Sequence, residues 1–381
     1  MRQTSPDHQP GDADTGQPDS VSSALDRVIR QAIGAQGGWL PFDRFMALAL
    51  YEPGLGYYAN GGQVFGTMPG SGSDFVTAPE LSPFFGRALA VQAAQALAAC
   101  GSGRVLEFGA GSGALAESLL DALGDRVTDY AIVDLSGTLR ARQQARLARF
   151  GDRVHWLDRL PEQVDGLVLG NEVLDAMPVQ LLHFDGQAWF ERGVVLVGDE
   201  LVFADRATAL RPPLDAAGLA ALAPGTVTEI HPQAEAFVAT VAGLLRRGVV
   251  LFIDYGFPEA EYYLPQRHGG TLMCHQAHRA DGNPLVDVGR KDITAHVNFT
   301  GIALAAQNAG LEVIGYTSQA RFLINCGLLA MLEGATLAQR AMAQKLLTEH
   351  EMGELFKVIA ISRGVVIDPL GFAQGDRLHR L

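Results

Sequence analysis

The sequence has few cysteines, no long hydrophobic run and a deficit of basic residues. Three cysteines in 381 residues are too few and too scattered for a disulfide framework, so we expect a reducing compartment. No run of eighteen apolar residues occurs, which argues against a membrane-spanning helix. The 29 Lys and Arg residues against 42 acidic ones give a net charge of −13, and this charge disfavours nucleic acids as partners.

The first twenty residues also lack the side chains that build a core. They hold three prolines and four aspartates but no aromatic or branched aliphatic residue, which predicts a solvated tail. They have neither the apolar centre of a signal peptide nor the arginines of a transit peptide. We therefore expect a soluble protein of the cytoplasm.

The rest of the chain has enough apolar residues, 48% of the total, to form a globular protein of two or three units. We predict that residues 21–102 form a helical N-terminal cap. Seven glycines between Pro53 and Gly72 predict a loop within this cap. Ser82 and Pro83 predict the start of a helix that reaches about Cys100.

From residue 103 onward, short β-branched runs alternate with helical stretches, which is typical of a parallel sheet with crossover helices. We predict an α/β fold with a Rossmann-like sheet of seven strands, the last one antiparallel. The strands are Val105–Phe108, Tyr130–Val133, Val154–Leu157, Leu167–Leu169, Val249–Ile253, Leu311–Ile314 and Phe356–Ser362. The core then has two halves, 103–178 and 246–365, followed by a C-terminal tail, 366–381.

Between these halves, residues 179–245 form a predicted β-rich insertion. Asp185-Gly186 and Gly198-Asp199 separate alternating runs, which is a strong hairpin signal. We expect a three-strand meander that forms a small lobe near the site.

A glycine-rich turn follows the first predicted strand of the core. The run from Val105 to Gly113 reads VLEFGAGSG, and such glycines let the backbone approach a nucleotide at the start of a helix. We predict cofactor contacts at Gly109, Ala110, Gly111 and Gly113. The run also fits the dinucleotide fingerprint loosely, and a tight turn without a ligand is the alternative.

Two acidic residues narrow the identity of the cofactor. Glu107 lies beside the turn, where it would repel a pyrophosphate and attract the ammonium and sulfonium groups of S-adenosylmethionine. Asp134 ends the second strand, where a carboxylate accepts hydrogen bonds from the ribose of any nucleoside, including NAD. Glu107 therefore favours S-adenosylmethionine over NAD.

Three further acids are candidates for contact with the cofactor. Asp158, after the third strand, would bond the adenine amine or lie in a solvated loop. Asp74 and Glu80 flank the glycine-rich loop and would close it over the cofactor, with an ordinary exposed loop as the alternative.

Several ordered motifs together give a resemblance to a known family. With its strand count and Glu107, the core resembles a class I methyltransferase, and the motifs are similar to those of the MidA family. They are Leu50–Tyr58, Asp74–Glu80, Val105–Leu115, Asn171–Pro178, Phe252–Gly256 and Asp292–Phe299. The resemblance spans roughly Phe42 to Arg363, although Asp134 replaces a common glutamate and His275 a frequent tyrosine.

The resemblance implies methyl transfer from S-adenosylmethionine to a protein arginine, because mitochondrial MidA members are arginine methyltransferases that assist assembly of respiratory complex I. A subunit of a respiratory complex is therefore a candidate partner. A guanidinium must be held by carboxylates, and Asn171, Glu172 and Asp175 follow the fourth strand, where class I enzymes address substrate. Helix capping or a structural ion pair is the alternative for Glu172 and Asp175.

His296 could accept a proton, or could be a histidine that is hydrogen-bonded within the fold. The loose spacing of His268, Cys274, His275 and His278 does not make a zinc site, so we predict no metal. Three alternatives to a protein arginine methyltransferase remain open. They are a methyltransferase on a small molecule or other acceptor, an assembly protein that binds S-adenosylmethionine without turnover, and an NAD-dependent oxidoreductase.

Overall fold

The computed structural model describes residues 18–60, 77–276 and 279–381, with side chains from residue 21. Within these ranges the helices are α1 (Pro18–Ala35), α2 (Phe42–Tyr51), α3 (Ala78–Leu81), α4 (Pro83–Cys100), α5 (Ala114–Leu123), α6 (Gly137–Leu147), α7 (Ala216–Ala220), α8 (Pro232–Leu244), α9 (Glu259–Tyr262), α10 (Phe299–Asn308), α11 (Gln319–Asn325), α12 (Leu328–Met331) and α13 (Leu337–Leu347).

The strands in the same ranges are β1 (Leu40–Pro41), β2 (Arg104–Phe108), β3 (Asp129–Val133), β4 (Val154–Trp156), β5 (Val164–Asn171), β6 (Gln180–Phe184), β7 (Trp189–Val197), β8 (Glu200–Ala207), β9 (Thr226–Ile230), β10 (Leu245–Phe257), β11 (Met273–Gln276), β12 (Arg279–Asp281), β13 (Asp292–Thr294), β14 (Val297–Asn298), β15 (Glu312–Ser318) and β16 (Phe356–Arg363). Strands β5 and β10 are longer than predicted because pairing continues past their apolar centres.

The central sheet positions the site. Its order is β15-β16-β10-β5-β2-β3-β4, with the short β14 beside β10. Strands β4, β3, β2, β5 and β10 are parallel, and β16 is antiparallel to both of its neighbours. Because parallel strands end at the same edge of a sheet, the residues that follow β2, β3, β5 and β10 meet there.

Helices cover both faces of this sheet. Helices α4 and α5 pack on one face around Leu89, Leu119 and Leu167, and α8 and α10 pack on the other around Val238, Phe252 and Ile302. As the sequence predicts, Ser82 begins α4, and its side-chain oxygen accepts a hydrogen bond from Phe84 N at 3.3 Å.

The insertion forms a larger sheet than the predicted three-strand meander. Strands β6, β7 and β8 pair as expected, but β9 pairs with β6, and β1 from the N-terminal segment pairs with β7. At Gly193 in β7, a Cβ atom would lie 2.4 Å from Leu40 O and from Trp39 Cε2. The N-terminal segment and the insertion thus share a core, which contains Phe45 and Val194.

Two of the predicted boundaries divide residues that pack together. Helix α8 lies inside the predicted insertion, yet its Val238 and Val241 are buried in the core of the central sheet. The predicted C-terminal tail folds back onto the protein, because Phe372 packs on Phe322 with ring centroids 5.4 Å apart. None of the helices in the described ranges is long and apolar enough to cross a bilayer.

Candidate functional site

A cavity of about 1390 Å³ opens at the carboxyl edge of the central sheet. It brings together most of the residues that the sequence singled out, together with side chains from α2 and β13. Its walls include the predicted residues Glu107, Gly109, Ala110, Gly111, Asp134, Asp158, Asn171, Glu172, Asp175 and His296. The volume accommodates a nucleoside cofactor and a substrate side chain in one space.

The glycine turn forms one end of this cavity. Gly109, Gly111 and Gly113 have φ values of +62°, +55° and +83°, a backbone conformation that favours glycine. A Cβ atom at Gly109 would lie 3.1 Å from Val173 Cγ2, so the turn is also tightly packed. Gly113, also predicted to contact the cofactor, is the N-cap residue of α5 and is not among the described residues that line the cavity.

Glu107 lies in the floor of the same end and is only 2% exposed. Its Oε2 atom accepts a hydrogen bond from Tyr130 Oη at 2.8 Å. Burial, with a smaller contribution from the charge of Asp134, raises the pKa of Glu107 to about 7. A cationic group of a ligand at this position would stabilise the ionised form of the Glu107 carboxylate. This is the role that the sequence predicts for Glu107 toward the ammonium or sulfonium of the cofactor.

Asp134 stands at the end of β3 with both of its oxygens in use. Ser136 N donates to Oδ1 at 2.9 Å, and Gln143 Nε2 donates to Oδ2 at 2.7 Å. Gln143 Nε2 also donates to Gly111 O at 2.9 Å, so one amide ties the aspartate to the glycine turn. Each carboxylate oxygen retains a lone pair for a ribose hydroxyl.

Asp158 also lines the cavity, but at its open rim. Its side chain is 82% exposed and forms an ion pair with Arg140, which lowers the pKa of the carboxyl. This arrangement corresponds to the solvated-loop alternative more closely than to a dedicated adenine contact. Leu135, which the sequence reasoning missed, is 80% exposed beside the same rim and offers an apolar surface for a flat base.

Glu80 is turned toward the outside of the glycine turn. Its carboxylate accepts hydrogen bonds from Ser112 Oγ and from Arg146 Nη1, the latter at 3.0 Å. Arg146 also donates to Ser112 Oγ at 2.7 Å. Glu80 therefore braces the turn instead of closing over the cavity. Asp74 lies outside the described residues.

The other end of the cavity is formed by the loop after β5. Buried Asp254 holds this loop, because its Oδ2 atom accepts hydrogen bonds from the backbone N–H groups of Val173, Leu174 and Asp175 at 2.9–3.2 Å. Glu172 adopts a φ of +54°, which is uncommon for a residue with a side chain. Asp254 and this backbone conformation aim Glu172 and Asp175 into one space.

The two acids of this loop are buried close together, and burial raises the pKa of each. Burial, followed by the charge of Asp175, raises the pKa of Glu172 to about 8. Asp175 is 6% exposed, and burial raises its pKa to about 6. Tyr255 Oη donates to Asp175 Oδ2, whereas Asp175 Oδ1 has no hydrogen-bond partner among the residues that the structure describes. Raised pKa values in a cleft mark a place where a cation would be stabilised.

His296 lies across the cavity from this loop. Its ring stacks on Phe257 at 5.2 Å and meets Tyr255 edge-on at 5.1 Å. Burial lowers the pKa of His296 to about 4, so the ring is neutral near pH 7 and can accept a hydrogen bond. Within the described part of the chain, its buried Nδ1 atom has no hydrogen-bond partner, and neither does Asn171 Oδ1.

Three residues from distant parts of the chain complete this end. Tyr51 and Tyr58 line the cavity with stacked rings 5.6 Å apart, and Tyr58 Oη donates to Asp292 Oδ1 at 2.9 Å. In the sequence, Asp292 is singled out as the first residue of the Asp292–Phe299 motif, and the tyrosines are given no role. The Leu50–Tyr58 motif was the signal that could have found them.

Comparisons with known proteins agree with this geometry. Residues 88–317 match a family model described as "Putative S-adenosyl-L-methionine-dependent methyltransferase". A COG1565 superfamily protein from Burkholderia thailandensis, crystallised with bound S-adenosyl-homocysteine, is 51% identical in sequence to this chain. The two structures superpose with a TM-score of 0.91 over 96% of this chain and 99% of that one. The predicted α/β methyltransferase fold is therefore confirmed. The family match and the S-adenosyl-homocysteine bound to this relative confirm the predicted cofactor, S-adenosylmethionine.

Curated relatives bear on substrate and location. The chain is 27% identical to the mitochondrial protein arginine methyltransferase NDUFAF7 homologue of Drosophila melanogaster, over 91% of this chain and 87% of that protein. The homologue from Caenorhabditis elegans is 25% identical over 74% of this chain and 72% of that protein. The predicted cytoplasmic location is wrong by this comparison, because these relatives are mitochondrial proteins.

Proposed function

We propose that this chain, which belongs to the family of S-adenosylmethionine-dependent methyltransferases, methylates an arginine side chain of a protein. Membership follows from the match over residues 88–317 and makes the chain a methyltransferase. The identity of the acceptor rests on the far end of the cavity and on the names of the curated relatives.

One observation carries the choice of arginine. Among the described residues, four buried polar atoms without a hydrogen-bond partner belong to side chains that line the cavity: Asn171 Oδ1, Asp175 Oδ1, Thr294 Oγ1 and His296 Nδ1. Buried polar atoms are rarely left unpaired, so a ligand that brings several N–H donors would satisfy them. A guanidinium carries five N–H donors and one positive charge, which also suits the raised pKa values of Glu172 and Asp175.

The chemistry requires positioning more than acid–base work. S-adenosylmethionine supplies an electrophilic methyl group when it is bound. The glycine turn, Glu107 and Asp134 would hold the cofactor, while Glu172 and Asp175 would fix the plane of the guanidinium by charge-assisted hydrogen bonds. Asp175 Oδ1 and neutral His296 are positioned to take the proton that the methylated nitrogen must lose.

The finer architecture supports the same proposal. The seven-strand path of the central sheet, with antiparallel β16 between β10 and β15, is consistent with a class I core. We divide the chain accordingly into an N-terminal cap, a core in two halves and a β-rich insertion. In this arrangement the cap contributes Tyr51 and Tyr58 to the substrate end of the cavity.

A small-molecule acceptor is the second candidate function. The site can accept any planar cation, because the unpaired acceptors recognise N–H groups and not a peptide backbone. An assembly protein that binds S-adenosylmethionine without turnover is the third candidate. A subunit of a respiratory complex is our proposed protein partner, in line with the family resemblance.

Transfer of label from tritiated S-adenosylmethionine tests the proposal. Purified enzyme is incubated with a mitochondrial and a bacterial lysate, proteins are separated from metabolites, and the protein is hydrolysed in acid. We expect label in methylated arginine. Label in lysine, in a carboxylate ester or in the metabolite fraction would overturn the arginine assignment, and tight S-adenosyl-homocysteine binding with no label in any fraction would favour the assembly protein.

A further inference from the structure

The N-terminal segment contributes an aromatic surface to the substrate end of the cavity. The Tyr51 and Tyr58 rings are stacked with an interplanar angle of 19° and a centroid distance of 5.6 Å, and both residues line the cavity. They come from the end of α2 and the turn after it, far in sequence from the loop that carries Glu172.

Hydrogen bonds fix this pair at both ends. Tyr51 Oη donates to Ala176 O at 2.8 Å, which anchors its ring beside Asp175. Tyr58 Oη donates to Asp292 Oδ1 at 2.9 Å. Burial and the charges of Asp292 and Asp175 raise the pKa of both phenols well above the usual value, so both stay neutral donors. The rings are thus held between the backbone carbonyl of Ala176 and the buried carboxylate of Asp292.

A guanidinium is recognised by two different surfaces. Its edge carries N–H donors that match carboxylates, and its flat face stacks on aromatic rings. At this end of the cavity the carboxylate of Asp175 and the stacked tyrosines lie side by side. An ammonium matches the carboxylates equally well by charge but has no flat face to stack.

We infer that Tyr51 and Tyr58 form the wall on which the substrate guanidinium lies, and that this pair makes the site select a planar cation over an ammonium. The inference rests on the proposed arginine function and deepens it. The N-terminal segment is then a specificity element of the site, and the tyrosines contact the substrate directly.

Binding of small cations tests this inference without the natural partner. Ethylguanidinium, the end of an arginine side chain, is titrated into protein saturated with S-adenosyl-homocysteine, with ethylammonium as the matched probe of equal charge. We expect wild type to prefer ethylguanidinium, and Tyr51→Leu and Tyr58→Leu to reduce that preference roughly three- to thirtyfold. Tyr51→Phe keeps the ring and should retain most of the preference.

Affinity for S-adenosyl-homocysteine reports whether each variant is folded, because the glycine turn and Asp134 lie at the other end of the cavity. A second measurement needs no variant: the ethyl protons of bound ethylguanidinium should shift upfield in NMR spectra and show contacts to tyrosine ring protons. Equal binding of the two cations by wild type, or an unchanged preference in folded leucine variants, would overturn the inference. If the tritium-transfer assay nevertheless places label in methylated arginine, only the role of the tyrosines is refuted and the proposed function stands. Label in another amino acid or in metabolites would refute the proposed function itself.

Discussion

Replacing Glu172 by glutamine should separate substrate recognition from cofactor binding. The change keeps the shape of the side chain and removes its ability to ionise. With a pKa of about 8, roughly nine in ten Glu172 carboxyls are protonated at pH 7 before a cation binds. A guanidinium must therefore displace a proton, at a cost of about 1.4 kcal/mol at that pH.

The magnitude follows from what the guanidinium gains. A pair of charge-assisted hydrogen bonds contributes about 3–5 kcal/mol, so about 1.6–3.6 kcal/mol remains after the proton is displaced. Glu172→Gln should then lower kcat/KM for the arginine acceptor by about 15- to 450-fold. Affinity for S-adenosyl-homocysteine should change by less than about twofold, because Glu107, Asp134 and the glycine turn are untouched.

The pH profile distinguishes a lost charge from a damaged fold. For wild type, kcat/KM should rise between pH 7 and 8 and then level off, as the cost of ionising Glu172 disappears. The glutamine variant should lack this part of the rise. Methyl transfer is measured with labelled S-adenosylmethionine, and Glu200→Gln, an exposed residue on β8, is the control. Parallel profiles, or a joint loss of transfer and cofactor binding, would refute the role of Glu172.

Three other outcomes follow from the structure. Asp134→Ala should weaken S-adenosyl-homocysteine binding by roughly ten- to a hundredfold in calorimetry, whereas Asp158→Ala should change it by less than about threefold, since that side chain is exposed. Unfolding scans without ligand should show a midpoint that falls as pH rises from about 5 to 8. An acid whose pKa is higher in the folded than in the unfolded protein contributes stability that is fully present below its unfolded-state pKa. This contribution is lost as the pH rises through its folded-state pKa, and the acids concerned are Asp175, Glu107 and Glu172. Gly193→Ala should destabilise the protein by about 1–3 kcal/mol in urea unfolding, because its Cβ would overlap Trp39, and a normal midpoint would contradict the packing of β1 on β7.

The sequence determined the parts of this protein that depend on local chemistry. Three glycines with positive φ must stand where a strand turns sharply into α5, and the pattern Gly109-x-Gly111-x-Gly113 shows them directly. Ser82 caps α4 for an equally local reason. Asp134 and Glu107 could be assigned because residues at the ends of parallel strands meet at one edge of the sheet.

The tertiary structure alone decided which distant residues share a surface. Tyr58 meets Asp292 across 234 positions of the chain, and Tyr51 meets Ala176 across 125. No periodicity predicts such contacts, because they depend on the strand pairing that joins β1 to β7. Sequence reasoning could not find the partner of Glu80 either, because Arg146 lies 66 residues away along the chain. This contact directs Glu80 toward the glycine turn instead of into the cavity. Local pattern identifies the cofactor end of the site, whereas packing of the N-terminal segment against the core builds its substrate end.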